Sequence, residues 1–363
     1  MQRAARLPVV CVLVATVLAG CTSGSPEGSP PTASASSGPV ETSPGGTAST
    51  PTTTTTPTGV RDLDVAELVM PVAAPTMAAA WQERFVIRYG AGKELLGTSP
   101  GGDSGSLDIG PDYGAPGPDG SWWFLDAAKV RLAHYDPAGR FLGRVRIPKR
   151  LLVGGRYFQW QLPHVLADGT LVAARQAPGR TYLLRLRDGV LDEFRVDGIF
   201  APTYDDGTLL YGFTGRGKPA LVDPVDGSLE TTSTFGTPAG AAFSLRVGRR
   251  LKLGLPDAGV EKVLPIRTTS GAVAHVGVQV RVGADGTFHL FLVGAGEDDE
   301  SVQLVGATLI SPVGQTADVE PLTDPFSEAD PGSPAQLVMA PGSSTPMLVY
   351  VLTDGVHVYE RTG

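Results

Sequence analysis

Residues 168–196 read DGTLVAARQAPGRTYLLRLRDGVLDEFRV and carry the pattern on which the fold prediction depends. The Asp-Gly pairs at 168 and 188 each precede a run rich in apolar residues, as a tight turn does before a β-strand. The arrangement recurs in four other stretches, namely DGSWWFLD (119–126), DGTLLYGF (206–213), DGTFHLFL (285–292) and DGVHVYER (354–361). The chain is therefore predicted to consist of repeated β-hairpins.

The turns recur at a spacing of about 40 to 57 residues, which leaves room for four short strands in each unit. The turn at 341–346, before MLVYVL, takes the place of an Asp-Gly pair, and one unit near residue 245 lacks the pair. Segment 75–98 is counted as a separate, earlier unit. Four-stranded repeats of this length are typical of propeller blades, so we predict an all-β propeller of about seven blades, with six as the alternative.

Two of the turns share a further pattern, DPAGRFL (136–142) and YGAGKEL (89–95). It is similar to the repeats of NHL-type and related extracytoplasmic propellers, and the resemblance implies the same fold. One or two β-sandwiches are the competing architecture, because they also place short strands at regular spacing. In a closed propeller the last strands, within 347–361, should share a blade with strands near 62–70, since an open ring leaves unpaired edges.

The N-terminus has the features of an export signal. Two arginines precede an apolar run at 7–20, which is shorter than the ~20 residues of a membrane-spanning helix. The run ends in LAGC at 18–21, which resembles the lipobox of bacterial lipoproteins at all four positions. The resemblance implies cleavage between Gly20 and Cys21 and acylation of Cys21. An ordinary secretory signal that ends beside a cysteine is the alternative.

Residues 21–59 consist largely of Ser, Thr, Pro and Gly. Such a segment cannot bury apolar surface and is expected to be a disordered tether with a reach of roughly 31–37 Å. The chain thus divides into a signal peptide (1–20), a tether (21–59) and a propeller domain (60–363). The expected location is the outer face of the cell membrane, where two acyl chains would anchor the protein stably.

Composition limits the partners. The formal net charge is −8 and no basic run occurs, so nucleic-acid binding is not expected. The excess of Arg over Lys is typical of GC-rich genomes, such as those of actinobacteria. Cys11 lies in the signal, so the mature chain keeps Cys21 alone and should hold no disulfide. The chain also contains no Asn, which the propeller lactonases use, beside Glu and Asp, to hold a metal ion.

Motifs for catalysis are missing from the sequence. The five histidines show no metal-ligand spacing, and neither a nucleophile elbow nor a phosphate-binding loop occurs. No catalytic residue, metal or cofactor is therefore predicted. The candidate ligand-stacking residues are aromatic, and core packing between blades is the alternative role for them. They are Trp122, Trp123, Tyr157, Phe158 and Trp160.

Together these features predict a lipid-anchored binding or scaffold protein of the cell envelope with a protein or glycan partner. The alternative is a propeller hydrolase or lyase that acts on an envelope sugar, lactone or peptide. Carboxylates and histidines that converge at the central channel would favour the enzyme, whereas an apolar channel would favour the scaffold.

Overall fold

The computed structural model describes residues 67–98, 114–148, 151, 163–177, 179–247, 250–255, 259–268, 273–296, 303–323 and 335–362. Within these ranges the chain forms strands and no α-helix. The first two strands are β1 (Leu68–Met70) and β2 (Trp81–Arg88). The predicted signal peptide (1–20), the tether (21–59) and the start of the domain at residue 60 lie outside the described residues.

The next twelve strands form three four-stranded antiparallel sheets, which follow one another along the chain. Blade 1 contains β3 (Gly114–Pro116), β4 (Trp122–Asp126), β5 (Arg131–Tyr135) and β6 (Phe141–Arg146). Blade 2 contains β7 (His164–Val165), β8 (Leu171–Ala177), β9 (Arg180–Arg187) and β10 (Val190–Val196). Blade 3 contains β11 (Phe200–Asp205), β12 (Leu210–Thr214), β13 (Pro219–Val222) and β14 (Leu229–Thr231).

The last eleven strands, with β1 and β2, complete three more sheets. Blade 4 contains β15 (Phe235–Gly236), β16 (Ala242–Val247), β17 (Arg250–Leu255), β18 (Val260–Thr268) and, at its outer edge, β1. Blade 5 contains β19 (Val273–Val282), β20 (Phe288–Gly296), β21 (Gln303–Ile310) and β22 (Glu320–Pro321). Blade 6 contains β23 (Gln336–Val338), β24 (Met347–Leu352), β25 (Gly355–Arg361) and, at its outer edge, β2.

The first strand of each blade lies nearest the central axis. First strands of neighbouring blades contact each other, β3 with β7 and β19 with β23, and β11 of blade 3 contacts β19 of blade 5. The outer strands are more exposed, as in β6, where half-buried and exposed residues alternate. Sheets of four consecutive strands around a common axis form a β-propeller. The predicted fold class is confirmed, and the described residues form six blades.

The favoured count of seven blades is therefore wrong, and the alternative of six is correct. Segment 75–98 does not form a sheet of its own. It supplies a single strand, β2, whose partner is β25 at the other end of the chain, with Trp81 opposite Arg361 and Arg88 opposite Gly355. A turn-and-strand pattern in the sequence does not show which strand is the hydrogen-bonding partner, because the partner can be far away along the chain. The segment was therefore predicted to form an extra blade.

Ring closure occurs as expected, but with a different N-terminal strand. The final strand β25 pairs with β24 on one side and with β2 at 81–88 on the other, whereas β1, the described strand of the segment near 62–70, is not part of this blade. Phe85 and Ile87 of β2 enter the core between blades 6 and 1, which the three-residue strand β1 is too short to fill. Strand β1 pairs instead in parallel with β18 of blade 4, with Leu68 opposite Ile266.

Beyond β1, Val72 pairs with Leu304 and Ala74 with Thr323, both beside blade 5. We refer to residues 68–74 as the strap, because they run along the rim from blade 4 to blade 5 before the chain enters blade 6. The strap and β2 together give the N-terminal segment partners on three successive blades, 4, 5 and 6.

The hydrophobic core lies between neighbouring blades rather than at the axis. Five clusters of buried residues join blades 6 and 1, 1 and 2, 2 and 3, 3 to 5, and 5 and 6. Each interface around the ring is therefore packed, and no blade buries both of its faces without its neighbours. This is why the sheet repeats need a closed ring to be stable.

Turns between first and second strands lie on one side of the ring, which we call the turn face. Asp-Gly turns at 119, 168, 206 and 285 occupy this position in blades 1, 2, 3 and 5. Blades 4 and 6 use Gly240 and Gly342 instead, with φ of 80° and 75°, a conformation that glycine adopts readily. The connections between blades lie on the opposite side, the connection face.

Candidate functional site

A cleft opens between blades 3 and 4 on the connection face and reaches the central channel. Its volume is about 1110 Å³, and its inner end lies where the first strand of blade 4, β15, has only two residues. The first strands on either side, β11 and β19, have six and ten residues. Strands β11 and β19 contact each other past the short β15, so blade 4 leaves a gap that forms the cleft. We call this space the inter-blade cleft.

Aromatic side chains form one wall of the inter-blade cleft. They are Tyr204, Phe213, Phe235 and Phe243. The ring centroids of Tyr204 and Phe243 are 5.5 Å apart at 83°, and those of Phe213 and Phe235 are 5.9 Å apart at 84°. These are edge-to-face pairs, which hold the rings in fixed positions. The wall is therefore apolar and preformed.

Tyr204 brings a polar group into this wall. The residue is 4% exposed, and its buried hydroxyl has no hydrogen-bond partner among the described residues. Burial, aided by the nearby carboxylates of Asp205 and Asp206, raises the pKa of Tyr204, while Arg281 opposes this shift. The hydroxyl therefore stays protonated at neutral pH and can donate a hydrogen bond.

Arg281, on β19, lies at the inner end of the cleft and is 7% exposed. Its Nη1 donates to the carbonyl oxygens of Thr203 at 3.0 Å and Val280 at 2.8 Å. The side chain thus reaches from blade 5 to the first strand of blade 3. Burial lowers the pKa of Arg281, which Asp205 partly counters, but an arginine stays charged at any physiological pH.

The mouth of the cleft is positively charged. Lys218, Arg246 and Lys252 line it and are exposed, whereas Glu261 is its one acidic lining residue among those described. None of these three cations forms an ion pair with another described residue. A concave surface lined by charges of one sign attracts ligands of the opposite sign. The mouth therefore favours an anionic ligand although the whole chain is acidic.

A second polar cluster lies beside the inner end of the cleft. Nδ1–H of His164, on the first strand of blade 2, donates to Oδ2 of Asp205 at 2.7 Å. The His164 side chain is 1% exposed, and its Nε2 has no hydrogen-bond partner among the described residues. Burial opposes ionisation of Asp205, but the hydrogen bond and charge of His164, together with Arg281, lower the pKa of Asp205 overall.

Two glutamines on the first strands of blades 5 and 6 make structural contacts around the channel. Nε2 of Gln279 donates to the Ala335 carbonyl at 2.9 Å, and its Oε1 accepts from the Leu337 amide at 2.7 Å. Oε1 of Gln336 accepts from the Gly114 amide at 3.2 Å. These bonds join blades 5, 6 and 1 around the channel, and Nε2 of Gln336 is buried without a hydrogen-bond partner among the described residues.

Of the predicted stacking residues, Trp122 and Trp123 lie in the described part of the chain, next to each other on β4. Trp122 is 0% exposed and packs edge-on against Phe85 with centroids 5.6 Å apart, so it cannot stack on a ligand because the core surrounds it. Trp123 is half-buried and stacks on His134, with centroids 4.0 Å apart and planes at 4°. The remaining three, Tyr157, Phe158 and Trp160, lie outside the described residues, as do Gly20 and Cys21.

Sequence reasoning missed Tyr204, Arg281 and the His164–Asp205 pair. Asp206 opens one of the predicted Asp-Gly turns and caps it by accepting from the Thr208 amide at 2.9 Å. The signal that could have found the others is position within the repeat. The Asp-Gly turns at 119, 168, 206 and 285 each follow the first strand of a blade, so polar residues just before these four turns lie near the channel.

Within the described ranges, no cluster of three or more His, Cys, Asp or Glu side chains could hold a metal ion. The same part of the chain contains no helix with the length and apolar character needed to cross a bilayer.

A family model described as a domain of unknown function (DUF7485) matches residues 79–361. The chain belongs to this family. The matched residues run from just before β2 to the end of β25, so the DUF7485 domain corresponds to the closed ring without the strap. None of the curated proteins matches the chain significantly.

Several solved propellers are similar in fold to this DUF7485 member. Virginiamycin B lyase from Staphylococcus aureus is 9% identical with a TM-score of 0.40, over 73% of this chain and 98% of the lyase. Regucalcin, a calcium-binding protein from Agrobacterium tumefaciens, is 12% identical with a TM-score of 0.36, over 82% and 97%. The Cps50 (Swd1) propeller domain from Myceliophteria thermophila is 11% identical with a TM-score of 0.38, over 70% and 84%. The likeness is one of fold alone.

Proposed function

We propose that the protein is a lipid-anchored binding protein of the cell envelope, and that the inter-blade cleft is its ligand site. The observation that carries the proposal is the cleft itself, a space of about 1110 Å³ with a fixed aromatic wall and a charged mouth. A concave, mainly apolar pocket with a few converging polar groups is the usual form of a small-molecule site.

The lining of the cleft supports binding rather than catalysis. Its ionisable groups are the cations at the mouth, Arg281 at the inner end, Glu261 and the protonated Tyr204. This set contains no nucleophile paired with a base, which covalent or acid–base catalysis would need. The cleft can therefore hold and orient a ligand with the groups it has.

The anchor and the location are part of the same proposal. The LAGC sequence at 18–21 follows an export signal, and the Ser/Thr/Pro/Gly-rich residues 21–59 connect Cys21 to the folded domain. Acylated Cys21 would hold the propeller at the outer face of the membrane, where the cleft meets molecules of the envelope. The sequence predicts a protein or glycan of the envelope as the partner, and the proposal places its binding at the connection face.

The test compares molecules that copurify with the full chain from an envelope extract, identified by mass spectrometry. Ser233 is an exposed residue that lines the cleft, so a Ser233→Trp variant should obstruct the cleft without disturbing the core. Ser228→Trp, at an exposed position on the turn face, is the matched control. Wild type and Ser228→Trp should carry a small molecule that Ser233→Trp lacks. The same set of molecules from all three would refute the cleft as the ligand site.

A second candidate, a hydrolase or lyase, has one specific observation in its favour. The 2.7 Å bond from Nδ1 of His164 to Asp205 leaves Nε2 as the basic nitrogen, the arrangement of an oriented general base. Nε2 is buried, however, and His164 does not line the cleft. Turnover of a lactone, glycoside or peptide that His164→Gln abolishes, with an unchanged melting temperature, would establish the enzyme instead.

A further inference from the structure

We propose that the inter-blade cleft takes an organic anion, a molecule that carries one acidic head on an aromatic or aliphatic body. The head would lie at Arg281 and Tyr204, and the body along Phe213, Phe235 and Phe243. This inference rests on the proposed function and names the ligand class of that site.

Arg281 is the first part of the argument. A buried charge is normally paired with an opposite charge, because desolvation without a partner is costly. Among the described residues, no carboxylate lies within ion-pair distance of Arg281. The nearby Asp205 is held by His164, and among the described residues only Nη1 of the guanidinium has hydrogen-bond acceptors. A guanidinium has five N–H donors in a fixed fork, so the rest of this fork suits an acidic head group.

Tyr204 supplies a second donor at the same end. Its hydroxyl is buried and without a hydrogen-bond partner in the part of the chain that the structure describes. Arg281 Nη1 donates to the carbonyl oxygen of Thr203, the residue that precedes Tyr204, and both side chains line the cleft, so we expect one oxyanion to accept from both. Because the hydroxyl stays protonated, this end of the cleft presents donors, which a carboxylate, sulfonate or phosphate can satisfy and a neutral hydrocarbon cannot.

The remainder of the cleft suits the proposed ligand in two ways. Its wall is apolar, as the body of the ligand is, and its mouth is positively charged and attracts an anion from solvent. Phe213, Phe235 and Phe243 continue the wall that begins at Tyr204. The exposed cations Lys218 and Lys252 lie at the mouth and would attract an anion before it reaches the inner end. The attraction of exposed charges is screened by salt, whereas buried donors are screened much less.

The test uses two fluorescent probes with the same apolar body. 8-Anilino-1-naphthalenesulfonate carries an acidic head, and N-phenyl-1-naphthylamine is its neutral counterpart. Titrated into the full-length protein, the sulfonate should bind more tightly than the amine. Decanoic acid and decyl phosphate should each displace it, and their relative strength distinguishes a carboxylate from a phosphate ligand, while decanol should displace it poorly.

Variants locate the head group. Arg281→Gln should weaken binding of the sulfonate about tenfold or more, as expected for the loss of a charged hydrogen bond, and leave binding of the amine unchanged. Tyr204→Phe should weaken the sulfonate alone, by a smaller factor. Arg281→Gln also removes the hydrogen bond to Thr203. The Lys218→Gln/Lys252→Gln double variant changes exposed residues alone and therefore provides an independent measure of the preference of the cleft for an anion. It should reduce sulfonate affinity and its salt dependence, whereas Arg216→Gln, an exposed arginine of the same loop that does not line the cleft, should change neither.

The outcomes separate the two proposals. If both probes bind equally and none of the charge variants affects the sulfonate alone, the cleft binds ligands but not anions, and this inference is overturned while the proposed function stands. If neither probe binds, or if Ser233→Trp leaves both affinities unchanged, the cleft is not a ligand site and both proposals fail.

Discussion

Replacing Asp126 by Asn should destabilise the whole propeller, because it breaks a buried ion pair that fastens the closing segment to blade 1. The side chains of Asp126 and Arg131 are 0% and 1% exposed, and Arg131 Nε donates to Asp126 Oδ2 at 2.8 Å. Asp126 Oδ1 also accepts from the amides of Gly97 and Lys129 at 3.2 and 3.1 Å. Gly97 belongs to the chain that follows β2, so one carboxylate joins the ring closure to blade 1.

The size of the effect follows from burial. Removing one partner of a buried pair leaves an uncompensated charge and costs about 3–5 kcal/mol. For a domain of this size, each kcal/mol corresponds to about 2–4 °C in melting temperature, so the expected fall is about 6–20 °C. The double variant Asp126→Asn/Arg131→Gln should lose less than the sum of the single variants, because it removes both charges.

Differential scanning calorimetry of the full chain measures the effect. The matched control is Asp188→Asn, which removes the exposed Arg187–Asp188 pair, whose side chains are 55% and 92% exposed. Asp188 has a φ of 51°, which Asn also tolerates, so the substitution causes no backbone strain. Because an exposed ion pair contributes little to stability, the melting temperature of Asp188→Asn should differ from that of the wild type by less than about 2 °C. Equal melting temperatures for the two variants would refute the role assigned to the buried pair.

Three further predictions concern the anchor, the ring and pH. Cys21→Ala should leave the protein either uncleaved or shed from the membrane in fractionation. A Cys21→Ala protein that has lost its signal peptide and still sediments with the membrane would contradict the lipid anchor. Deleting residues 355–363 removes β25 from between β24 and β2 and should lower the melting temperature by many degrees, whereas a truncated chain that melts like the parent would contradict ring closure. Burial lowers the pKa of His289 from its usual 6.5, with Arg361 adding to the shift and Asp285 opposing it. The unfolded chain therefore binds more protons than the folded one below pH 6.5, so stability should fall as pH decreases from 6.5 toward the pKa of His289 in the folded state. His289→Gln should make the melting temperature depend less on pH in this range. An unchanged pH dependence would count against the role of His289.

The repeat could be predicted from the sequence because its signal is local. An Asp-Gly turn and the strand after it lie within a few residues, and the turns at 119, 168, 206, 285 and 341–346 each lie between the first two strands of a blade. The number of blades could not be fixed in this way. Strand β2 has the same local pattern as any other strand, and only its pairing with β25 assigns it to blade 6.

The candidate site was harder to predict because it depends on several blades at once. Tyr204 comes from blade 3 and Arg281 from blade 5, and they meet because the intervening strand β15 has only two residues. The length of one inner strand cannot be inferred from turn spacing. Trp122 has the role that the sequence analysis gave as the alternative for the aromatic residues, since it is a core residue in the fold.

The strap determines how the ring would bear mechanical load. Strand β1 lies closest along the chain to the proposed tether, so a pull on the N-terminus reaches it before it reaches β2. Leu68 and Met70 are 1% and 0% exposed, and the parallel ladder to β18 must give way before force is transmitted to blade 6. A tethered propeller pulled by its anchor would thus detach the strap first and keep its ring closed. Residues 68–74 would protect the ring from unfolding under force.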